Sequence, residues 1–238
     1  MTPRWRLTVA CAALPLTLVL TLALAGCDAL GQLGGASHYP SATSFTVHSR
    51  VTTLVIDGGS GSVDVTGNGQ STVRVSQQAS FSKTPPVAKH VLSGTTLTLS
   101  YSCAVQLSCS VSYTVGVPRG VSVRVSASTG QITLTSLAGA VTAQTNAGEI
   151  TADNLSSPSV SLKSDAGGII ATCSAAPLSL HASTDIGAIT LTVPGSAAYK
   201  ISTRTIVGTS DITVRRSASS KHAISASSDL GSISISPA

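Results

Sequence analysis

A chain of 238 residues holds one or two domains, and a hydrophobic fraction of 42% is enough to bury a core. Charged residues make up only 10%; Ser, Thr, Gly, Ala and Val take their place, and this β-favouring, weakly charged composition argues against disorder. The formal net charge is +5 with Arg215-Arg216 the only adjacent basic pair, which argues against a nucleic-acid partner, since such a partner calls for a concentrated basic face or a reading motif.

The chain opens on a basic stretch, "MTPRWR", followed by an apolar run over residues 7–25 and the small-residue junction "LAGC" at 24–27. That order reads as a secretory signal. Leu24-Ala25-Gly26-Cys27 resembles the lipobox of bacterial lipoproteins. The resemblance implies cleavage before Cys27, a diacylglycerol on the Cys27 thiol and an acyl chain such as palmitate on the new amino group. Several acyl chains on one residue make a lasting anchor, because each buried methylene adds about 0.8 kcal/mol. The expected location is therefore the cell membrane, lipid-anchored, on the extracytoplasmic side. An ordinary signal peptide with a chance Cys, or an uncleaved span interrupted by Pro15, are the alternatives. Loss of Arg4 and Arg6 with the leader leaves 12 basic and 9 acidic side chains, a net of +3. The expected divisions are a signal peptide over 1–26, a Gly/Ser/Ala/Pro-rich tether over 27–44 and one β-domain over 45–238.

Within that domain a turn glycine recurs, at Gly61, Gly130, Gly148, Gly167, Gly187, Gly208 and Gly231. Seven residues before these stand Leu54, Val123, Val141, Val160, Leu180, Ile201 and Ile224. Two residues after stand Val63, Ile132, Ile150, Ile169, Ile189, Ser210 and Ile233. Apolar columns also fall five before and four after, with polar residues between them. This is period-two alternation on both sides of a turn. From Gly130 the steps are 18, 19, 20, 21 and 23 residues, a near-constant spacing that signals stacked coils. One coil cannot bury its inward face, but coils above and below it can. The unit around Gly208 breaks the pattern at Ser210. It is expected to slip by two, so that Ile212 and Val214 point inward.

The predicted fold is all-β: a single-stranded parallel β-helix or β-solenoid with a strand-rich N-terminal end region. Because Asn146-Ala147-Gly148 also suits a tight hairpin, an antiparallel sandwich or barrel is the alternative. Residues 62–118 interrupt the repeat. Asn68-Gly69 is a strong hairpin signal there, and Pro85-Pro86 break a loop. Two further strands flank Cys103 and Cys109, and in an oxidising compartment a disulfide closing that hairpin is expected, with two free thiols as the alternative. Cys173 is left without a partner and reads as a small buried side chain.

Residues 54–67, "LVIDGGSGSVDVTG", and 117–155, "VPRGVSVRVSASTGQITLTSLAGAVTAQTNAGEITADNL", resemble the opening unit and the repeat of the putative-adhesin family of bacterial envelope β-solenoids. The resemblance extends over roughly 45–238 and implies a parallel β-helix-like fold. The family is one of unknown function, so it implies little about activity.

Asn146, Asp165, Asp185 and Asp229 each precede a turn Gly by two residues. Stacked, they form a weak candidate for Ca²⁺, although Asp and Asn at such positions ordinarily serve the turn itself. No metal or other cofactor is expected. His48, His90, His181 and His222 stand far apart, without ligand spacing. The expected role is a non-catalytic envelope structural or interaction module, possessing a lipid anchor and binding an envelope protein or the cell wall, with no small-molecule substrate. An accessory of an envelope-stress signalling system is the alternative. A polysaccharide-active enzyme is a third reading, disfavoured because Trp5 falls in the signal and only Phe45, Phe81 and four Tyr remain for sugar stacking.

Overall fold

The computed structural model describes residues 39–104 and 109–238, which form nineteen β-strands. The first seven are β1 (Tyr39–Val47), β2 (Thr53–Ser60), β3 (Val63–Asn68), β4 (Val73–Phe81), β5 (Val87–Ser93), β6 (Thr96–Ser102) and β7 (Cys109–Pro118). Then come β8 (Ser122–Thr129), β9 (Ile132–Thr135), β10 (Val141–Ala147), β11 (Ile150–Leu155), β12 (Ser159–Ala166), β13 (Ile169–Cys173), β14 (Ser179–Ile186) and β15 (Ile189–Val193). The chain closes with β16 (Lys200–Val207), β17 (Ser210–Ile212), β18 (Ala223–Leu230) and β19 (Ile233–Pro237).

These strands form two sheets, and each coil gives one strand to each. One sheet runs β1-β4-β7-β3-β9-β11-β13-β15-β19-β17, the other β16-β18-β14-β12-β10-β8-β2-β6-β5. The fold is an all-β solenoid. Its pairings are parallel except β1 with β4, β4 with β7, and β5 with β6. The antiparallel sandwich is thereby excluded.

The core lies between the sheets and is built from the columns that the alternation marks. Val63, Ile132, Ile150, Ile169, Ile189 and Ile233 stack in register from coil to coil, all at most 1% exposed. Leu54, Val123, Val141, Val160, Leu180 and Ile224 do the same in the facing sheet. Burying each such side chain contributes about 1.5–3 kcal/mol, against the entropy of ordering its coil.

Stack order departs from chain order at both ends. The coil β6–β7 lies outside β2–β3, although it follows it in sequence. At the other end β18–β19 inserts between β14–β15 and β16–β17, so the last coil of the chain is the penultimate coil of the stack. An interior coil must be apolar at most of its inward positions, and β18–β19 supplies Ile224, Ala226, Ile233 and Ile235, all at most 1% exposed. An end coil is covered from one side only, and β16–β17 places Thr203 and Ser210 where the interior coils have Ala226 and Ile233.

Four expectations are corrected by this arrangement. The slip of two near Gly208 does not occur: Ser210 stays in register with Ile233 and Ile212 with Ile235, while Val214 is buried in the core and Ile212 packs against it, inward as expected. Ser210 is tolerated because it is exposed at the end of the stack. Asn68-Gly69 does not make a hairpin, because β7 intervenes between β3 and β4. Only the local turn chemistry forms, with Asn68 Oδ1 accepting from the Gln70 N–H at 3.0 Å. Cys103 and Cys109 do not close a hairpin either, since β6 and β7 belong to opposite sheets. Finally, β1 starts at Tyr39, so the last six residues of the expected tether are strand, paired with β4.

Candidate functional site

The turn glycines form one edge of the solenoid. Gly148 has φ +153° and Gly187 has φ +152°, a region that L side chains rarely adopt. A Cβ on Gly187 would sit far inside van der Waals contact with the Gly167 carbonyl, and one on Gly148 with the Gly130 carbonyl. The requirement is therefore twofold, for conformation and for close approach of neighbouring coils. The approaches run through Gly61, Gly130, Gly148, Gly167, Gly187, Gly231 and Gly208 in that order, which is the stack order and not the chain order.

Beside this edge lies a feature that the sequence reading passed over. The residue three before the turn Gly points inward and is Ser or Thr in Thr145, Ser164, Thr184, Thr205 and Ser228. Each neighbouring corner carbonyl accepts a hydroxyl donated from the next coil: Ser164 to Gly148 at 2.9 Å, Thr184 to Gly167 at 2.8 Å, Ser228 to Gly187 at 2.9 Å and Thr205 to Gly231 at 2.9 Å. The flanking backbone continues the ladder without these carbonyls: the Gly148 N–H donates to the Ala166 carbonyl and the Ile150 N–H to the Gly168 carbonyl. The hydroxyls thus give these half-buried acceptors a partner that the backbone ladder does not supply. Thr145 has no such bond, and its Oγ1 is buried without a partner. The signal was legible as a Ser/Thr column at an even, inward spacing.

Asp165, Asp185 and Asp229 fall on adjacent coils, flanked by Asn146 and, in the end coil, Ile206. Neighbouring strands lie about 4.8 Å apart, so the column is real. Asp165 accepts an ion pair from Lys163 Nζ at 3.1 Å. That hydrogen bond, with the attraction of the same carboxylate, raises the Lys163 pKa. Among the described residues no group of three or more His, Cys, Asp or Glu is placed to hold a metal ion.

The Cys103 and Cys109 sulfurs are bonded, with Cα atoms 6.1 Å apart, and they staple the corner between the sheets at the N-terminal end. Next to them the Tyr101 hydroxyl donates to the Ser60 carbonyl at 2.6 Å and accepts from the Ser60 N–H at 2.5 Å. A side chain on Gly59 would strike that hydroxyl. Cys173 is 4% exposed, and burial pushes its thiol up to about 11. Burial likewise holds the Tyr113 hydroxyl well above the ordinary tyrosine range. The histidines do not converge: His90 stacks on Phe45 with ring centroids 4.3 Å apart, and His222 Nδ1 lies 2.9 Å from the Pro177 carbonyl. Residues 1–26 and Cys27 lie outside the described residues.

No protein-family model matches the chain, and no curated protein sequence does. The solved structure of a putative cell adhesion protein from Clostridium sporogenes is similar, with a TM-score of 0.52 and 16% identity over 84% of this chain and 100% of that one. A putative adhesin from Bacteroides fragilis matches with a TM-score of 0.48 and 13% identity, over 85% of this chain and 99% of that one. At these identities the likeness is one of fold.

Proposed function

We propose that the chain is a non-catalytic interaction module of a bacterial envelope, anchored through lipid on Cys27 and adhesive in role. The observation that carries the reading is the lipobox-like run Leu24-Ala25-Gly26-Cys27 ahead of a β-solenoid. The inward columns and the hydroxyl ladder hold the stack together. The outward positions along the sheets, such as Ser202, Thr190, Ser159 and Thr114, are small hydroxyl side chains at the surface. Such a scaffold offers long flat faces to a macromolecule. The fold likeness to the putative cell adhesion protein from Clostridium sporogenes supports the same reading.

Two measurements test it. Mass spectrometry of the mature N-terminal peptide should find Cys27 as the first residue, carrying acyl chains; an unmodified Cys27 or an intact Met1 contradicts the anchor. Binding of the purified full chain to whole cells and to purified wall polymer should then be saturable. Recovery of one stoichiometric membrane sensor instead, with no binding to wall or cells, would replace the adhesive role by that of a signalling accessory.

A further inference from the structure

The C-terminal end of the stack carries an unfilled strand position. β16 is the last strand of its sheet and has a neighbour, β18, on one edge only. The Lys200 N–H points toward β18, donating to the His222 carbonyl at 2.8 Å. In a parallel strand the backbone groups of alternate residues point to opposite edges. Ile201, Thr203 and Thr205 therefore direct their N–H groups to the open edge. The segment 215–217 covers only the start of that edge, where the Tyr199 N–H donates to the Arg215 carbonyl and the Ser217 N–H to the Tyr199 carbonyl.

The side chains along this edge have a definite pattern. Ile201, Thr203 and Thr205 face the interior and are half-buried, while Lys200, Ser202 and Arg204 face outward and are exposed. Among the described residues neither Lys200 nor Arg204 forms an ion pair. Arg216 lines a shallow cleft with Tyr199, Lys200 and Ile201. Between Tyr199 and His222 the chain carries Lys200, Arg204, Arg215, Arg216 and Lys221 against the single acid Asp211. At the glycine end of the strand Ile206 and Val207 are 62% and 59% exposed, and in the adjacent coils Leu230 and Ile186 continue the ridge at 49% and 56%. Apolar side chains grouped in this way at a surface mark a contact site.

We infer that the open edge of β16 is a docking site for an extended acidic peptide strand from another envelope protein, which adds to the sheet as one further rung. Backbone bonds to Ile201, Thr203 and Thr205 give affinity. Alternate aliphatic side chains cover Ile201 and Val207, and alternate carboxylates meet Lys200 and Arg204. A second copy of this chain is a poorer occupant, because two such ends present like charges to each other. The inference rests on the interaction-module reading and names one of its surfaces.

The test uses the full chain in detergent and a fluorescent octapeptide alternating valine and glutamate, with a valine–lysine octapeptide as control. Anisotropy should show saturable binding of the acidic peptide, at least about tenfold tighter than the basic one. Thr203→Pro removes an edge N–H where proline is tolerated. It should abolish binding while leaving the melting curve in place. The Lys200→Glu/Arg204→Glu pair should reverse the preference between the two peptides. No binding, equal binding of both peptides, or binding unchanged by Thr203→Pro overturns the inference. So does dextran sulfate binding that survives Thr203→Pro and is lost on charge reversal, which would make the basic face a polyanion site. Sedimentation showing dimers broken by Thr203→Pro would assign the edge to self-association instead and overturn it as well. Adhesion to cells that Thr203→Pro leaves intact removes this surface while preserving the module reading; loss of all envelope binding in the unmutated chain removes both.

Discussion

The two ends of the solenoid solve the same problem differently. At the N-terminal end the coil β6–β7 is not left bare: β5 pairs antiparallel with β6, and β4 then β1 pair antiparallel onto β7. Reversing direction ends the parallel ladder, and the outermost strands carry Pro40 and Lys89, which discourage further pairing. The corner there is stapled by Cys103–Cys109. At the C-terminal end the coil β16–β17 is covered only at its start, by the segment 215–217; beyond that it has mostly polar inward residues, a basic outer row and an exposed aliphatic corner. Both ends leave edge strands, but at the N-terminal end these are the reversed strands β1 and β5, marked by Pro40 and Lys89, whereas β16 continues the parallel ladder to an open edge flanked by basic and aliphatic side chains.

If interior and end coils differ as described, mutations should separate them. The largest effect is expected at an interior turn. Gly187→Val forces a β-branched residue to φ +152° against the Gly167 carbonyl, and should cost about 3–5 kcal/mol or prevent folding, as read by urea denaturation. Next comes an aliphatic truncation. Ile235→Ala, in the inserted coil, should cost about 3 kcal/mol, whereas Ile212→Ala, in register beyond it, should cost under about 1.5 kcal/mol. Equal losses would mean that the end coil is covered.

The third contrast is electrostatic. The Cys173 thiol, held at about 11 when folded, ionises near 8.5 in the unfolded chain. Below about pH 8 both states bind the proton and the group has no effect. Above that the unfolded state releases it first, so stability should fall as pH rises from about 8.5 toward 11, by about 3 kcal/mol from this group. Tyr113 adds to the fall at higher pH still. Cys173→Val should flatten the first part of the curve, and a curve unchanged in that variant would show that Cys173 is not the source. The smallest effect concerns the hydroxyl ladder. Thr184→Val leaves the half-buried Gly167 carbonyl without its donor and should cost about 1 kcal/mol; Thr145→Val, which removes an unpartnered hydroxyl, should be neutral or mildly stabilising.

Much of this was legible in residues whose identity is forced locally. A glycine every twenty or so residues, with an aliphatic residue two positions later, marks a corner that only Gly fits. The alternation then fixes which face is inside. The hydroxyl ladder was harder to see because Ser164 or Thr184 reads as surface until its even spacing from Leu162 or Ala182 is counted. Stack order was not legible, because it depends on which coil most needs cover on both sides, a property of the whole assembly. Ser210 was its trace: a polar residue in an aliphatic column belongs at an end, and a local slip was the wrong explanation. Asn68-Gly69 misled for a related reason, since a turn can form locally while β7 takes the place beside β3. The Asp165–Asp185–Asp229 column could be seen in sequence, but convergence on a metal could not be judged from spacing.

The most direct test is of the inserted coil, on which the open end depends. Ser183 and Ser227 are in register on adjacent coils, with hydroxyls 3.0 Å apart, and Arg204 lies in register with Ser227 one coil further on. Oxidation of the Ser183→Cys/Ser227→Cys variant should form a disulfide rapidly, because strand neighbours meet the required Cα separation. The Ser183→Cys/Arg204→Cys variant should not, its sites being two strands apart. A disulfide between 183 and 204 with none between 183 and 227 would place the coils in chain order and contradict the account.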